Sequence, residues 1–219
     1  MAGMVPLSDE SRQPMRFPVV TAAIIVVNVV VFLLELTRGD AFVERWSVIP
    51  ADIVAGRHRI NILTAMFMHA GWMHIAGNMV FLWAFGPEVE DAMSRPGYLA
   101  FYLLSGLVAS LMQVAAMAGS TVPNLGASGA IAGVMGAFLV TYPLDRIRVL
   151  LVIGWFIRFT FIPAAILIGV WFFIQLFSGL GAVASVQTGG VAYMAHVGGF
   201  IFGAATGKIF ERFKRHRRI

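Results

Sequence analysis

The stretch Asn124-Leu-Gly126-Ala-Ser128-Gly129-Ala-Ile-Ala132-Gly133 places one serine between glycines, at the head of a run that stays apolar to Tyr142. A serine beside an apolar helix ordinarily reads as an N-cap, its hydroxyl accepting from an orphan backbone N–H. The competing reading, a reactive hydroxyl, requires a base within reach. The chain has only five histidines, and His69, His74 and His196 lie in or beside hydrophobic segments. Whether they approach Ser128 depends on how the chain is threaded.

The composition points to a bilayer. Of 219 residues, 59% are hydrophobic and 12% charged, with a mean hydropathy of +0.83. Soluble domains carry about 25% charged residues and cannot absorb repeated apolar runs of about 18 residues or more, which a membrane accommodates as helices. The expected fold is therefore all-α, a polytopic bundle of six transmembrane helices. There is no cysteine, which removes disulfides, thiol catalysis and cysteine-ligated metals.

Read in order, residues 1–16 form a short polar tail, expected to be unstructured and cytoplasmic. A domain of residues 17–207 follows, and residues 208–219 form a basic cytoplasmic tail. Apolar spans are expected at 17–36, 72–85, 98–118, 128–141, 160–177 and 191–206. The first is too long for a signal-peptide core and is read as a retained helix. The connection 37–73 mixes charges with apolar positions, so short interfacial helices are expected there, with Trp46 as an anchor. Val149 to Phe159 reads as an interfacial segment, with Arg158 snorkelling, and residues 179–190 as a flexible uncharged loop.

Six spans put both termini on one side. With that side cytoplasmic, twelve of the 16 Lys and Arg lie inside: Arg12, Arg16, Arg95, Arg146, Arg148, Arg158 and the six from Lys208 onward. The positive-inside rule favours this orientation, and the basic cluster reads as a membrane anchor rather than a nucleic-acid site. A bacterial inner membrane is the expected location, with the site opening outward.

In this threading the second, fourth and sixth spans all run inward. His74 and Asn78, Ser128, and His196 then share one shallow depth on the outer side. Small residues on the fourth and sixth spans (Gly129, Gly133, Gly136; Gly199, Gly203) favour close backbone contact in lipid. Ser128 and His196 fit a nucleophile and base, and His74 and Asn78, four apart on one helical face, fit oxyanion donors. The bland readings stand beside this one: a capping serine, a histidine bonded to a carbonyl, or a histidine group binding metal or relaying protons. No carboxylate or cysteine accompanies the histidines, which weighs against metal. Glu90, at the opposite end from Ser128, reads as a structural acceptor.

These residues resemble the rhomboid family of intramembrane serine proteases along nearly the whole chain after the N-terminal tail. Gly126-Ala-Ser128-Gly129 is similar to the family's GxSG nucleophile motif. Ala195-His196 through Gly199 and Gly203 is similar to its AHxxGxxxG helix, and His74 to Asn78 to its HxxxN element. His69 matches a family histidine with a structural role, and Gly86 to Glu90 resembles a glycine–glutamate turn. The resemblance implies a serine endopeptidase with a Ser128–His196 dyad, no cofactor and no metal. It implies single-pass transmembrane proteins as substrates, a lipid bilayer as surroundings, no nucleic-acid partner, and movement of the fifth helix and following loop to admit substrate. Two departures stand out. Arg45-Trp46 reverses a Trp-Arg pair of the family's first loop, and Ala132 stands where some members have a tyrosine against the catalytic histidine. A non-catalytic rhomboid-like binder of membrane helices is the alternative; a transporter fits less well, because spans one, three and six show no ionisable group near the midplane and Glu35 sits at a boundary.

Overall fold

The computed structural model describes residues 2–11, 14–184 and 191–215. Long helices occupy all six apolar stretches. They are α1 (Val19–Arg38), α5 (Trp72–Ala92), α6 (Arg95–Ala116), α7 (Ser128–Thr141), α8 (Ala164–Ala184) and α9 (Tyr193–Arg215). The connection after α1 folds into α2 (Asp40–Trp46), α3 (Pro50–Val54), α4 (Asn61–Thr64) and a 3-10 turn at Ala65–Phe67. Among the described residues, three helices are long and apolar enough to cross a membrane: Val19–Arg38, Arg95–Ala116 and Ala164–Val183. The chain is thus an integral membrane protein, mostly helical.

It is not purely helical, which corrects the all-α expectation. Three strands, β1 (Ala2–Asp9), β2 (Arg146–Ile153) and β3 (Phe156–Pro163), form an antiparallel sheet in that order. Two expectations change with it. The N-terminal residues form a strand against β2 instead of an unstructured tail, and the segment read as interfacial is a hairpin. The physical reason is local. Residues 146–163 are rich in Val, Ile and Phe, β-formers that pack well on a pleat, and Gly154, with φ of 60°, turns the chain between the strands. Ile147 and Val149 are fully buried beneath the sheet, while Arg148 lies over the Phe159 ring at 4.7 Å on its other face.

Other boundaries also shift. α5 does not end in a turn at Gly86 but continues through Pro87 to Ala92. An internal proline forfeits a helical hydrogen bond. The extra turn is held because Glu88, Val89 and Glu90 are buried, and Glu90 accepts from the Val20 and Thr21 backbone N–H groups at 2.9 and 2.7 Å. One carboxylate thereby serves two orphan donors at the start of α1. α8 extends to Ala184, so the first half of the expected flexible loop is helical, and residues 185–190 lie outside the described residues. α9 likewise runs into the basic segment as far as Arg215.

The centre of the bundle is α7, with ten of its 14 residues buried, from Gly129 to Phe138. Its partner is α9. A Cβ on Gly199 would collide with the Gly129 carbonyl oxygen, and one on Gly203 with that of Gly133. Backbone approach this close admits only glycine, which is why the small-residue faces meet here. α6 flanks both helices, Gly133 facing Ser105 and Gly129 facing Ala109.

Candidate active site

Ser128 is the first residue of α7, and that helix has no side-chain cap. The N-cap reading of the serine therefore fails: its hydroxyl is used elsewhere. Ser128 Oγ lies 2.7 Å from Nε2 of His196, one turn into α9. The loop carrying the serine is pinned to the first connection by Val48 N–H donating to Asn124 O at 2.9 Å and Asn124 N–H returning to Val48 O at 2.7 Å. Gly126 N–H adds a third bond, to Ala65 O at 2.9 Å.

Gly126 is required twice over. Its φ of 137° is a conformation that glycine adopts readily and L side chains rarely do, and a Cβ would lie 3.0 Å from Cε1 and 3.1 Å from Nε2 of His74. The His74 ring is thereby brought against the serine loop. Its Nδ1 accepts the Ala70 N–H at 3.2 Å, so the hydrogen of the neutral ring sits on Nε2, the atom facing Gly126. Asn78 follows one turn later on α5, 7% exposed, with a buried Nδ2 that has no partner. A buried amide donor left open costs free energy unless something it binds completes it.

His74, Asn78, Ser128 and His196 all line one cavity of about 880 Å³, with Trp72, Phe81, Leu125 and Trp171 among its apolar walls. The structure thus brings together the four residues that the sequence picks out for chemistry. His69 does not join the cavity lining. It is buried, its ring edge-on to His74 at 5.2 Å, and its backbone N–H is held by the Glu35 carboxylate of α1 at 3.1 and 3.2 Å. Burial pushes its imidazole down to about 4, so the ring is neutral at physiological pH. Glu90 lies away from the cavity, bonded to the start of α1. Gly129, Gly199 and Gly203 set the α7–α9 spacing. No group of acidic, cysteine or histidine residues able to hold a metal occurs among the described residues.

Sequence reasoning missed Gln175 and Trp171. Gln175 Oε1 lies 2.7 Å from His196 Nδ1, and the Trp171 ring tilts at 36° over the imidazole, centroids 5.8 Å apart. Both belong to α8 and are four apart, hence on one face. Position 132, where the resemblance leads one to look for a histidine partner, holds a fully buried alanine. The available signal was the single amide in an otherwise apolar helix, because a polar group there needs a bonded neighbour. Arg45 caps the Trp46 ring face at 4.9 Å and meets His58 Nδ1 at 3.3 Å, joining α2 to the turn before α4, away from the cavity.

Chemically, a hydroxyl bonded to an imidazole nitrogen, with N–H donors across a shared cavity, suits acyl transfer through a tetrahedral intermediate. A profile of the rhomboid domain matches residues 57–213. The chain belongs to the rhomboid family. Members of this family are generally intramembrane serine proteases. The chain is similar to rhomboid protein 1, mitochondrial, of Saccharomyces cerevisiae, with 29% identity over 208 residues, covering 90% of this chain and 56% of that protein. It is similar to rhomboid protease GluP of Bacillus subtilis at 32% identity over 176 residues, 78% of this chain and 31% of that one. It also resembles the human presenilin-associated rhomboid-like protein, mitochondrial, at 27% over 151 residues, 65% of this chain and 35% of that protein. The rhomboid chain here thus spans between 31% and 56% of these relatives' lengths. Two of the three are mitochondrial by name, which does not support a bacterial inner membrane as the location.

Proposed function

We propose that this rhomboid is an intramembrane serine endopeptidase that cleaves single-pass transmembrane proteins in or near their spanning segments. The observation that carries the reading is the 2.7 Å bond between Ser128 Oγ and His196 Nε2 on the wall of the cavity. Ser128 attacks the scissile carbonyl carbon while His196 takes the hydroxyl proton. The imidazolium then gives that proton to the leaving amine, and water repeats the cycle on the acyl-enzyme. The oxyanion is held by the Asn78 amide, His74 Nε2–H and the backbone N–H of Ser128, at the positive end of the α7 dipole. Apart from the hydrolytic water, the chain's own side chains and backbone supply every group this mechanism uses, and no cofactor is needed.

All six long helices span the bilayer in this reading, with both termini cytoplasmic. The 14 residues of α7 reach only about 21 Å at 1.5 Å per residue, short of the roughly 30 Å hydrocarbon layer. Ser128 is then recessed below the outer surface, at the level where the walls are apolar and water enters through the cavity. The test is cleavage of a fluorogenic transmembrane substrate by purified protein in detergent, with labelling of Ser128 by a fluorophosphonate. Turnover that vanishes in Ser128→Ala and in His196→Ala is expected. Undiminished turnover in Ser128→Ala ends the serine mechanism, and neither turnover nor labelling in the parent protein points to a helix-binding protein.

A further inference from the structure

His196 needs one ring nitrogen free to accept the serine proton and a fixed ring plane, and among the described residues no carboxylate bonds its ring. The Nδ1 side is filled instead by a neutral amide from α8. The α8 segment Ala164–Ala184 contains no charged residue, and Gln175 is its one amide. A half-buried glutamine in such a helix is costly unless its amide is bonded. Its Oε1 is spent on His196 Nδ1 at 2.7 Å, the same length as the bond from Nε2 to Ser128. Because an amide oxygen only accepts, Nδ1 must carry the hydrogen, and Nε2 is left as the acceptor facing the hydroxyl. Trp171, one turn earlier, covers the ring face. The imidazole is therefore fixed in tautomer by Gln175 and in plane by Gln175 and Trp171 together.

We infer that Gln175 is a positioning residue for His196, holding its Nδ1–H so that Nε2 is presented to Ser128. The inference rests on the endopeptidase reading for its kinetic consequence but not for its tautomeric one. The bond strengthens when His196 becomes an imidazolium, since a hydrogen bond from a charged donor is roughly twice as strong as a neutral one. Its contribution is therefore larger in the transition state than in the ground state and falls on kcat rather than KM. It also places the orienting group on α8, while the nucleophile and base sit on α7 and α9. A dyad with both nitrogens engaged forms only when α8 lies against α9.

The experiment compares Gln175→Met, which keeps length and volume but removes the acceptor, with Gln175→Glu, which keeps the acceptor and adds charge. The groups facing His196 are Ser128 on α7, His74 on α5, and Trp171 and Gln175 on α8, while Gln113 of α6 bonds the neighbouring Ala195 backbone at 3.2 Å. In Gln175→Met, kcat falls by about 10- to 100-fold with KM held, the range for losing a hydrogen bond to a charged group. Gln175→Glu retains activity, and the acid limb of its rate profile moves to higher pH, because a carboxylate there favours the imidazolium. Equal losses in both variants, or KM and kcat moving together, overturn the assignment. Nitrogen-15 spectra of histidine-labelled protein in detergent read the tautomer directly, without any turnover. The parent shows His196 protonated on Nδ1, and Gln175→Met loses that preference. An unchanged tautomer in Gln175→Met overturns the inference even if the protein cleaves nothing, whereas an inactive parent with the expected tautomer change counts only against the peptidase reading.

Discussion

Glu90 and Thr21 are joined twice at the start of α1: one Glu90 oxygen takes the Thr21 N–H at 2.7 Å and the Thr21 hydroxyl at 2.8 Å, while the other takes the Val20 N–H. The first long helix is thus capped by a residue 69 positions away in sequence, and α1 and α5 share an end. Glu90→Ala leaves the Val20 and Thr21 backbone donors open, while the Thr21 hydroxyl keeps Tyr98 Oη at 3.3 Å. An unsatisfied buried group costs about 1–3 kcal/mol, so thermal unfolding in detergent is expected at lower temperature, with Glu90→Gln intermediate because it keeps one acceptor. A variant as stable as the parent contradicts the capping role.

The α7–α9 contact makes a sharper demand. Gly199→Ala and Gly203→Ala place a methyl on the Gly129 and Gly133 carbonyl oxygens, and overpacking of this kind costs about 1–3 kcal/mol. Gly169→Ala on α8, where nothing lies within 4 Å of the new carbon, is expected to be neutral or slightly stabilising through the better helix propensity of alanine. Equal melting temperatures for the two sets refute the close-packing account.

The donors of the cavity act at the transition state. His74→Ala and Asn78→Ala are each expected to lower kcat by about 10²–10³-fold, the loss seen when one oxyanion donor is removed, with little change in KM. Rates within twofold of the parent for both variants would remove them from the oxyanion site.

His69 carries a pH dependence of stability. Its folded-state value near 4 lies below the unfolded 6.5, so between these limits the unfolded chain binds the extra proton. The stability that the neutral ring contributes is complete above about pH 6.5 and is lost as the pH falls toward 4. Melting temperatures measured from pH 7 to pH 4 are expected to drop more steeply in the parent than in His69→Gln. Parallel curves count against burial as the cause.

Much of this architecture is legible in the chain because lipid restricts the choices. Continuous apolar runs become helices whatever their β-branching, so the start of α7 at Ser128 and of α5 at Trp72 follow from where the apolar runs begin. The same rule hides β2 and β3. Once a stretch such as Val149 to Phe159 is assigned to the membrane surface, its strand character is discounted, and the pairing of β1 with it is a contact across more than 130 residues. The site shows the same split. Ser128, His196, His74 and Asn78 announce themselves by motif and depth. Gln175 has no motif, and its role appears only when α8 is laid beside α9.

The glycines of α7 and α9 also work as a notched rule. Gly199 and Gly203 each seat a carbonyl oxygen of the facing helix, Gly129 and Gly133, four residues apart on both sides. With a rise of 1.5 Å per residue, the next seating along the axis is about 6 Å away. Intermediate slips lift the notches onto the carbonyls and part the helices. The double seating therefore fixes the axial register of α7 on α9, and with it the level at which Ser128 meets His196.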